Sequence, residues 1–247
     1  MKVSQLTDIG LKRKANQDQI GTFSNRSQQT LLLLCDGMGG HNAGDVASEM
    51  AIFDVGKAWE KTEKMVPVQA EEWLKIAIES ANNRIVEVSK EYIDLEGMGT
   101  TIVAIAVLGQ KALVAHVGDS RAYQVDDGKL IPITKDHSFV QELLDRHIIT
   151  AEEAQNHPQK NIVTQSVGVN DAIKIDTHWV SLQEGERLLL CSDGLTDMLT
   201  DEEITHLLNQ ETDLNQAAEA LIQAANQAGG KDNISVILAE IERGDLL

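Results

Sequence analysis

Several residue classes that mark specialised proteins are scarce in this chain. Only three of its 247 residues are proline and only two are cysteine, which excludes a proline-rich linker and a scaffold held together by disulfides. No run of about 18 or more apolar residues occurs, so no membrane-spanning helix is predicted. The first residues, MKVSQLTDIG, lack the basic and apolar regions of a signal peptide. We therefore expect a cytoplasmic protein without membrane insertion.

Basic and aromatic residues are also few. The chain has 39 acidic residues against 21 basic ones, a formal net charge of -18, and such a charge repels the phosphates of nucleic acids and anionic membrane surfaces. Aromatic residues make up 3% of the chain while hydrophobic residues together make up 42%. We expect a globular protein with an aliphatic core and no nucleic-acid partner.

The length and the lack of internal repeats favour one domain over residues 1–247. Short segments that are rich in Val, Ile and Leu and bounded by Gly, Asp or Asn predict strands. They are residues 30–35, 100–108, 111–117, 121–125, 187–191 and 234–241. The hairpin spacing between residues 100 and 134 predicts an antiparallel meander.

Helices are predicted in blocks that lie apart from the strands. An apolar stripe at helical spacing covers residues 68–92, residues 43–59 show a similar pattern, and residues 214–228 end at two glycines. Two further helix starts carry the Thr and Glu pair of a capping box, Thr150 with Glu153 and Thr200 with Glu203. Separate blocks of helices and strands favour an α+β fold of packed layers over alternating βαβ units.

Four aspartates follow or precede predicted strands beside a glycine or an asparagine. In LLLLCDG and LLLCSDG an apolar strand runs directly into Asp36 and Asp193, AHVGDSR places Asp119 in a turn, and GGKDNIS places Asp232 before the last strand. A single Asp-Gly pair is an ordinary turn. Four such sites in one domain predict carboxylates that converge at one edge of the fold.

Converging carboxylates repel one another unless a cation lies among them. Oxygen ligands without Cys or His are those that hard ions such as Mg²⁺ and Mn²⁺ prefer. The pattern therefore predicts a divalent metal site with Asp36 and Asp193 at its centre.

A polar stretch near the start, GLKRKANQD, contains Arg13 and Asp18. A guanidinium can bind phosphate oxygens in pairs, and Asp18 can reach a metal through water. A solvated basic turn is the alternative interpretation of residues 12–14. Cys35 and Cys191 end apolar runs and are expected to be buried thiols, with a disulfide as the less favoured alternative.

The ordered motifs GLKRKANQD, DGMGGH, GMGTT, AHVGDSR, LLLCSDGL and GGKDNIS resemble those of the type-2C metal-dependent serine/threonine protein phosphatases, in their short bacterial form. The resemblance covers about residues 6–241. It implies a four-layer αββα sandwich, in which two mostly antiparallel sheets are flanked by helix pairs. It also implies hydrolysis of phosphoserine and phosphothreonine on proteins by direct attack of a water that bridges two metal ions.

The resemblance assigns roles to individual residues. Asp36 corresponds to a carboxylate that bridges two Mn²⁺ or Mg²⁺ ions, Gly37 to a carbonyl ligand of one ion, and Asp193 and Asp232 to ligands of the other. Asp119, together with Asp193, corresponds to the holder of a third ion. The remaining two correspondences are Asp18 as an outer-shell ligand and Arg13 as the phosphate-binding arginine.

Two positions depart from the family pattern. Met38 stands where animal members carry a histidine that is proposed as general acid, which leaves His41, three residues on, as a possible proton donor or as an ordinary exposed side chain. Gln17 stands where some members have an acidic ligand. Residues 137–168 resemble the flap beside the active site of bacterial members.

The partners that the resemblance implies are phosphorylated proteins and a cognate bacterial serine/threonine kinase. Two rival functions remain at this stage. One is a non-catalytic regulator that binds metal or a phosphoprotein without hydrolysis, and the other is a phosphatase for phosphotyrosine or small phosphate esters.

Overall fold

The structure is a computed structural model that describes residues 1–39 and 43–246, and these residues form eleven β-strands and seven α-helices. The strands are β1 (Lys2–Asp8), β2 (Asp18–Ser24), β3 (Thr30–Met38), β4 (Gly99–Thr100), β5 (Ile102–Val107), β6 (Lys111–Val117), β7 (Arg121–Asp126), β8 (Lys129–Pro132), β9 (Asp176–Ser181), β10 (Arg187–Cys191) and β11 (Ile234–Glu240). The helices are α1 (Gly44–Trp59), α2 (Pro67–Glu91), α3 (Phe139–Asp145), α4 (Ala151–Gln155), α5 (Asp193–Thr196), α6 (Asp201–Gln210) and α7 (Leu214–Gln227).

The strands form two antiparallel sheets. The first sheet has the order β1-β11-β10-β7-β8, and the second has the order β2-β3-β5-β6-β9 with the short β4 paired to β3. Because successive side chains of a strand point to opposite faces, an all-apolar strand can serve two cores at once. β3 does so, since Leu31 and Leu33 pack under α1 and α2, while Leu32 and Leu34 face the other sheet.

Three apolar layers hold the molecule together. One lies between the second sheet and α1 with α2, one lies between the sheets, and one lies between the first sheet and α6 with α7. Each buried Leu or Ile in these layers contributes roughly 1.5 to 3 kcal/mol of transfer free energy. The α+β prediction and the αββα order are therefore confirmed.

The predicted helix boundaries agree with the structure to within one or two residues. Both capping boxes are present: Thr150 accepts from the amide of Glu153, Thr200 accepts from the amide of Glu203, and each glutamate bonds back to the threonine amide. Among the described residues no helix is both long enough and apolar enough to cross a membrane.

The prediction of one meander over residues 100–134 is wrong. β5 and β6 form a hairpin in the second sheet, but the chain then crosses to the first sheet, where β7 and β8 form another hairpin. The crossing occurs at Gly118, whose φ of 111° lies in the region that side chains disfavour. Hairpin spacing alone does not distinguish a turn within a sheet from a short connection between sheets.

Candidate metal centre

Asp36 lies where β3 leaves the core. By strand alternation its side chain is on the same face as Leu32 and Leu34, toward the other sheet. Its amide donates to Thr101 Oγ1 at 3.0 Å, and its carbonyl accepts from the Thr101 amide and from Thr100 Oγ1, both at 2.8 Å. The backbone that carries the carboxylate is therefore fixed by the threonines of the GMGTT motif.

Asp18 lies directly opposite Asp36 in the pairing of β2 with β3. Its Oδ2 accepts from Ser192 Oγ at 2.8 Å and from Ser235 Oγ at 2.7 Å. These serines belong to the other side of the sandwich, so the carboxylate of Asp18 connects the two sheets. Its Oδ1 is buried and has no hydrogen-bond partner among the described residues.

Asp193 and Asp232 come together because the first turn of α5 packs against the segment that precedes β11. A Cβ on Gly194 would lie 1.9 Å from the carbonyl oxygen of Asn233, so only glycine permits this approach. The two aspartates precede these contacting residues. Asp193 Oδ1 is also buried without a partner among the described residues.

Asn233 holds the loop that carries Arg13. Its Nδ2 donates to the carbonyls of Ile9 and Ala15, both at 2.9 Å, and its Oδ1 accepts from the Gln17 amide at 2.8 Å. Three hydrogen bonds from one buried side chain thus fasten both ends of the loop. Arg13 extends from it and its Nη2 forms an ion pair with Asp232 Oδ2.

Asp119 occupies the crossing between the sheets and is 7% exposed. The neighbouring Ser120 forms a hydroxyl hydrogen bond of 2.7 Å with Thr101, and Thr101 in turn supports Asp36. The crossing turn is therefore tied to the end of β3. The five predicted carboxylates come from both sheets and from separate segments of the chain.

These carboxylates lie close enough to one another to affect the pKa of Asp36. Removal from water raises the pKa of Asp36 well above its ordinary value, and four other carboxylates raise it further. They are those of Asp18, Asp193, Asp119 and Asp232. The predicted convergence of the aspartates is thus present in the fold.

The pKa values of three other aspartates in the cluster are raised as well. Burial first, and then the charge of Asp119, raise the pKa of Asp193 well above its ordinary value. Burial raises the pKa of Asp18 to about 6 although its serine partners oppose the change. Burial and then Asp136 raise the pKa of Asp119 to about 7. A cation that relieves this repulsion is expected to bind strongly.

The residues fit a hard divalent cation. The site offers carboxylate and carbonyl oxygens, and the buried Oδ1 atoms of Asp18 and Asp193 have lone pairs that no described residue satisfies. Mg²⁺ and Mn²⁺ prefer such oxygen ligands. Arg13, which is half-exposed, neutralises only Asp232 among these carboxylates.

Both cysteines are buried and free, so the disulfide alternative is wrong. Burial raises the pKa of Cys191 to about 12 and raises that of Cys35 as well. A thiol in this state is protonated at neutral pH and is a poor nucleophile. Neither thiol is therefore an activated nucleophile.

Several supporting residues were not predicted. Ser192, Ser235 and Asn233 lie next to or near predicted aspartates in the sequence, and that adjacency is the signal that could have found them. Gln17 acts through its backbone, because its carbonyl accepts from the Gly37 amide at 3.1 Å and from Ser48 Oγ at 2.6 Å. His41 lies outside the described residues.

A cleft of about 510 Å³ opens beside Asp119 and Asp193. One wall comes from residues 138–161 and the other from residues 196–202, where α5 ends and α6 begins. Lys160 bridges the two walls through an ion pair of 2.9 Å with Asp197. Two of the five aspartates are thus exposed to this cleft.

Comparison with known proteins gives a consistent assignment. The sequence model of the family described as "Protein phosphatase 2C" matches residues 12–239. A "Putative protein phosphatase 2C-type" from Streptococcus pyogenes serotype M6 is 44% identical over 246 residues, which cover 100% of both chains. A solved Streptococcus agalactiae serine/threonine phosphatase has 44% identity and a TM-score of 0.94, and the match covers 98% of this chain and 99% of that one.

A third similar structure is the catalytic domain of the serine threonine protein phosphatase PstP in complex with two manganese ions. It has 35% identity and a TM-score of 0.86, and the match covers 98% of each chain. Sequence and fold therefore agree, and this chain belongs to the protein phosphatase 2C family, whose members depend on metal ions.

Proposed function

We propose that this protein is a metal-dependent phosphatase that removes phosphate from phosphoserine and phosphothreonine residues of proteins. The observation that carries the proposal is the cluster of five aspartates drawn from both sheets, in which Oδ1 of Asp18 and Oδ1 of Asp193 are buried and have no hydrogen-bond partner among the described residues. Such a group is costly in a protein without a bound cation. The named activity of the similar proteins supports the same conclusion.

The metal set that we propose consists of two core Mn²⁺ or Mg²⁺ ions and a third ion. Asp36 would contact both core ions, with the carbonyl of Gly37 on one ion and Asp193 and Asp232 on the other. Bound there, divalent ions would activate a water for attack on phosphorus and neutralise the charge of the phosphate. The complex of PstP with two manganese ions supports the two core sites.

Two further aspartates have supporting roles in this proposal. Asp18 uses Oδ2 to accept two serine hydroxyls, so only Oδ1 remains to orient a water beside Asp36. Asp119 and Asp193 both line the cleft. We infer that these two cleft-lining carboxylates would hold the third ion.

Arg13 is proposed to bind the phosphate of the substrate. In this structure its guanidinium pairs with Asp232, a residue that we assign to a metal ion. Occupation of that ion's site would free the guanidinium, which is half-exposed on a loop held by Asn233. A planar guanidinium can then donate two parallel hydrogen bonds to phosphate oxygens.

Arg13→Ala is expected to reduce kcat/KM for a phosphothreonine peptide by roughly 10- to 100-fold, because a hydrogen bond to a charged group contributes about 1.5 to 3 kcal/mol. Arg13→Lys should have a kcat/KM between those of Arg13→Ala and the unmodified protein, since lysine keeps the charge but cannot form two parallel hydrogen bonds. Steady-state kinetics measures both. Lys12→Ala and Lys14→Ala, which change exposed neighbours, serve as matched controls, and an equal loss in all three alanine variants would exclude a specific phosphate contact.

The chain is proposed to form one catalytic domain over residues 1–247, with residues 137–168 as a flap beside the cleft. The flap segment contains α3 and α4 and supplies one wall of the cleft. A cognate serine/threonine kinase and its targets would supply the substrates. His41 stays a proposed proton donor for the leaving group.

The activity is tested with p-nitrophenyl phosphate and with phosphothreonine and phosphotyrosine peptides of the same sequence, in Mn²⁺ and in excess chelator. We expect metal-dependent release of phosphate from the phosphothreonine peptide and much slower release from the phosphotyrosine peptide. Stoichiometric metal binding without turnover would favour the non-catalytic regulator. Preference for the phosphotyrosine peptide, or hydrolysis of p-nitrophenyl phosphate alone, would favour a phosphatase for phosphotyrosine or small phosphate esters.

A further inference from the structure

Two histidines lie next to the turn that carries Asp119, outside the cluster of five aspartates. His116 is near the end of β6 and is fully buried, and His137 begins the flap segment and is 8% exposed. Their rings stack at a centroid distance of 4.7 Å with 24° between the planes. The proposed catalytic mechanism gives neither histidine a role.

His137 binds both backbone polar groups of Gly118. Its amide donates to the Gly118 carbonyl at 2.9 Å, and its ring Nδ1 is 3.2 Å from the Gly118 amide. An amide nitrogen can only donate, so Nδ1 must carry a lone pair. One residue thus fixes the backbone immediately before Asp119.

The same contact sets the tautomer of the ring. Because Nδ1 accepts, a neutral His137 has its proton on Nε2, which is 3.2 Å from Asp176 Oδ2 and donates to it. Asp176 is itself paired with Lys174. The chain of contacts therefore runs from Lys174 through Asp176 and His137 to the amide of Gly118.

His116 keeps the ring of His137 in its plane. Its Nε2 is 2.8 Å from the carbonyl of Lys135, so Nε2 carries the proton. Burial lowers the pKa of His116 to about 4, and its ring stays neutral at physiological pH. A neutral, fully buried ring that stacks on His137 limits rotation of the latter's imidazole.

Ring nitrogens of His116 and His137 and a carboxylate oxygen of Asp176 lie within 4.8 Å of one another, a grouping that could also hold a metal ion. Binding through Nε2 of His137 would require its proton to move to Nδ1. That proton would then face the amide proton of Gly118. The observed hydrogen bonds favour a positioning role over metal binding.

His137 also connects the crossing turn to the far end of the flap segment. Its carbonyl accepts from the Thr164 amide at 2.8 Å, and the next residue, Ser138, forms a bridge with Val163. Residues 137 and 164 are thereby joined at the base of the flap. A displacement of this base would act on Gly118 through His137.

We propose that His137 is a positioning residue that holds Asp119 in place for its metal ion and couples this carboxylate to the base of the flap. The inference rests on the proposed function, in which Asp119 is a ligand of the third ion. Partners that orient metal ligands typically change metal affinity by about 10- to 100-fold when they are removed.

Two substitutions separate this role from a merely structural one. In His137→Asn the side-chain oxygen lies near the former Nδ1 and can still accept from Gly118, whereas in His137→Gln the polar group lies near the former Nε2 and cannot. We expect His137→Gln to weaken the lowest-affinity Mn²⁺ site by about tenfold or more and His137→Asn by less than about threefold. Calorimetric titration of the metal-free, full-length protein with Mn²⁺ measures both constants.

Two additional comparisons complete the test. Asp176→Ala removes the acceptor of Nε2–H while leaving the turn intact, and we expect a weakening of the same Mn²⁺ site by less than about tenfold, with the proton still on Nε2 in the imidazole ¹⁵N spectrum because the Gly118 amide still faces Nδ1. Asp171→Ala, which removes an exposed carboxylate 83% accessible to solvent, is the matched control. The variants also keep the test usable if His137→Gln does not fold.

Asp119→Asn distinguishes the inference from the function on which it rests. If Asp119→Asn leaves all Mn²⁺ sites unchanged, the proposed ligand role of Asp119 is wrong. If Asp119→Asn removes one site but His137→Asn and His137→Gln weaken it equally, the positioning role alone is overturned. The role is supported if His137→Gln, and not His137→Asn, weakens the same Mn²⁺ site that Asp119→Asn removes, while the other Mn²⁺ sites keep their affinity.

Discussion

Asp36→Asn is expected to lower kcat for a phosphothreonine peptide by at least about 10³-fold, equivalent to about 4 kcal/mol of barrier. Asp36 is the carboxylate that both core ions would share, and its amide and carbonyl are fixed by Thr100 and Thr101. The substitution keeps the shape of the side chain but removes its charge. Steady-state kinetics in saturating Mn²⁺ measures the effect.

The same substitution should stabilise the metal-free protein. Four carboxylates repel Asp36, so loss of its charge should raise the melting temperature measured in chelator. Asp94→Asn changes an exposed aspartate and should alter neither property. Near-normal turnover by Asp36→Asn, or a lower melting temperature without metal, would mean that the carboxylates are misassigned.

Metal ions are expected to raise the melting temperature at pH 7 by about 5 to 10 °C. An ion present at about 100 times its dissociation constant stabilises the folded state by about 2.7 kcal/mol. In a chain of about 150 to 250 residues the melting temperature rises by roughly 2 to 4 °C for each kcal/mol added to the free energy of unfolding. Thermal melts in Mn²⁺, Mg²⁺ and chelator test this, and identical melts in metal and chelator would contradict the proposed site.

The stability of the metal-free protein should also depend on pH with a definite sign. The pKa is raised from 3.8 to about 6 for Asp18 and to about 7 for Asp119, so the folded state binds more protons than the unfolded state. Stability contributed by these groups therefore falls as pH rises from about 4 to about 7. The increase in melting temperature on adding Mn²⁺ should grow over the same range.

Chemical denaturation at several pH values, with and without Mn²⁺, measures this dependence. Asp119→Asn should flatten the metal-free profile in the upper part of the range, near pH 7. A metal-free profile between pH 4 and pH 7 that is the same in the Asp119→Asn variant and in the unmodified chain would contradict the raised pKa of Asp119.

The parts of the fold that the sequence predicts are those where local pattern and tertiary environment agree. The two strands that run into Asp-Gly motifs, β3 and β10, have long apolar runs because both of their faces are buried. The capping boxes at Thr150 and Thr200 are local features that require no tertiary contact. The apolar strands and the capping boxes could therefore be predicted from the sequence.

The strands that were not predicted have mixed patterns. β1 and β2 carry polar residues on much of their length, since each lies at the edge of a sheet and is only partly buried. β9 is also an edge strand, with polar and charged residues at most positions. Periodicity is weak in such segments because only part of one face contacts the core.

The site was predictable in its acidic residues and not in the groups that hold them. Asp36 and Asp193 follow apolar strands, which is visible in the sequence. The contacts of Asp18 with Ser192 and Ser235 depend on how closely the two sheets approach. The contact of His137 with Gly118 depends on the crossing between the sheets, which hairpin spacing failed to predict.

We expect one cluster of aspartates to bind the ions that are needed for hydrolysis. Anomalous diffraction from a crystal soaked in Mn²⁺ tests it most directly, because manganese scattering locates each ion without reference to activity. We predict two strong peaks between Asp36, Asp193 and Asp232, and a weaker third peak beside Asp119. Peaks located only at other residues, in a protein that still hydrolyses phosphothreonine peptides, would contradict the account.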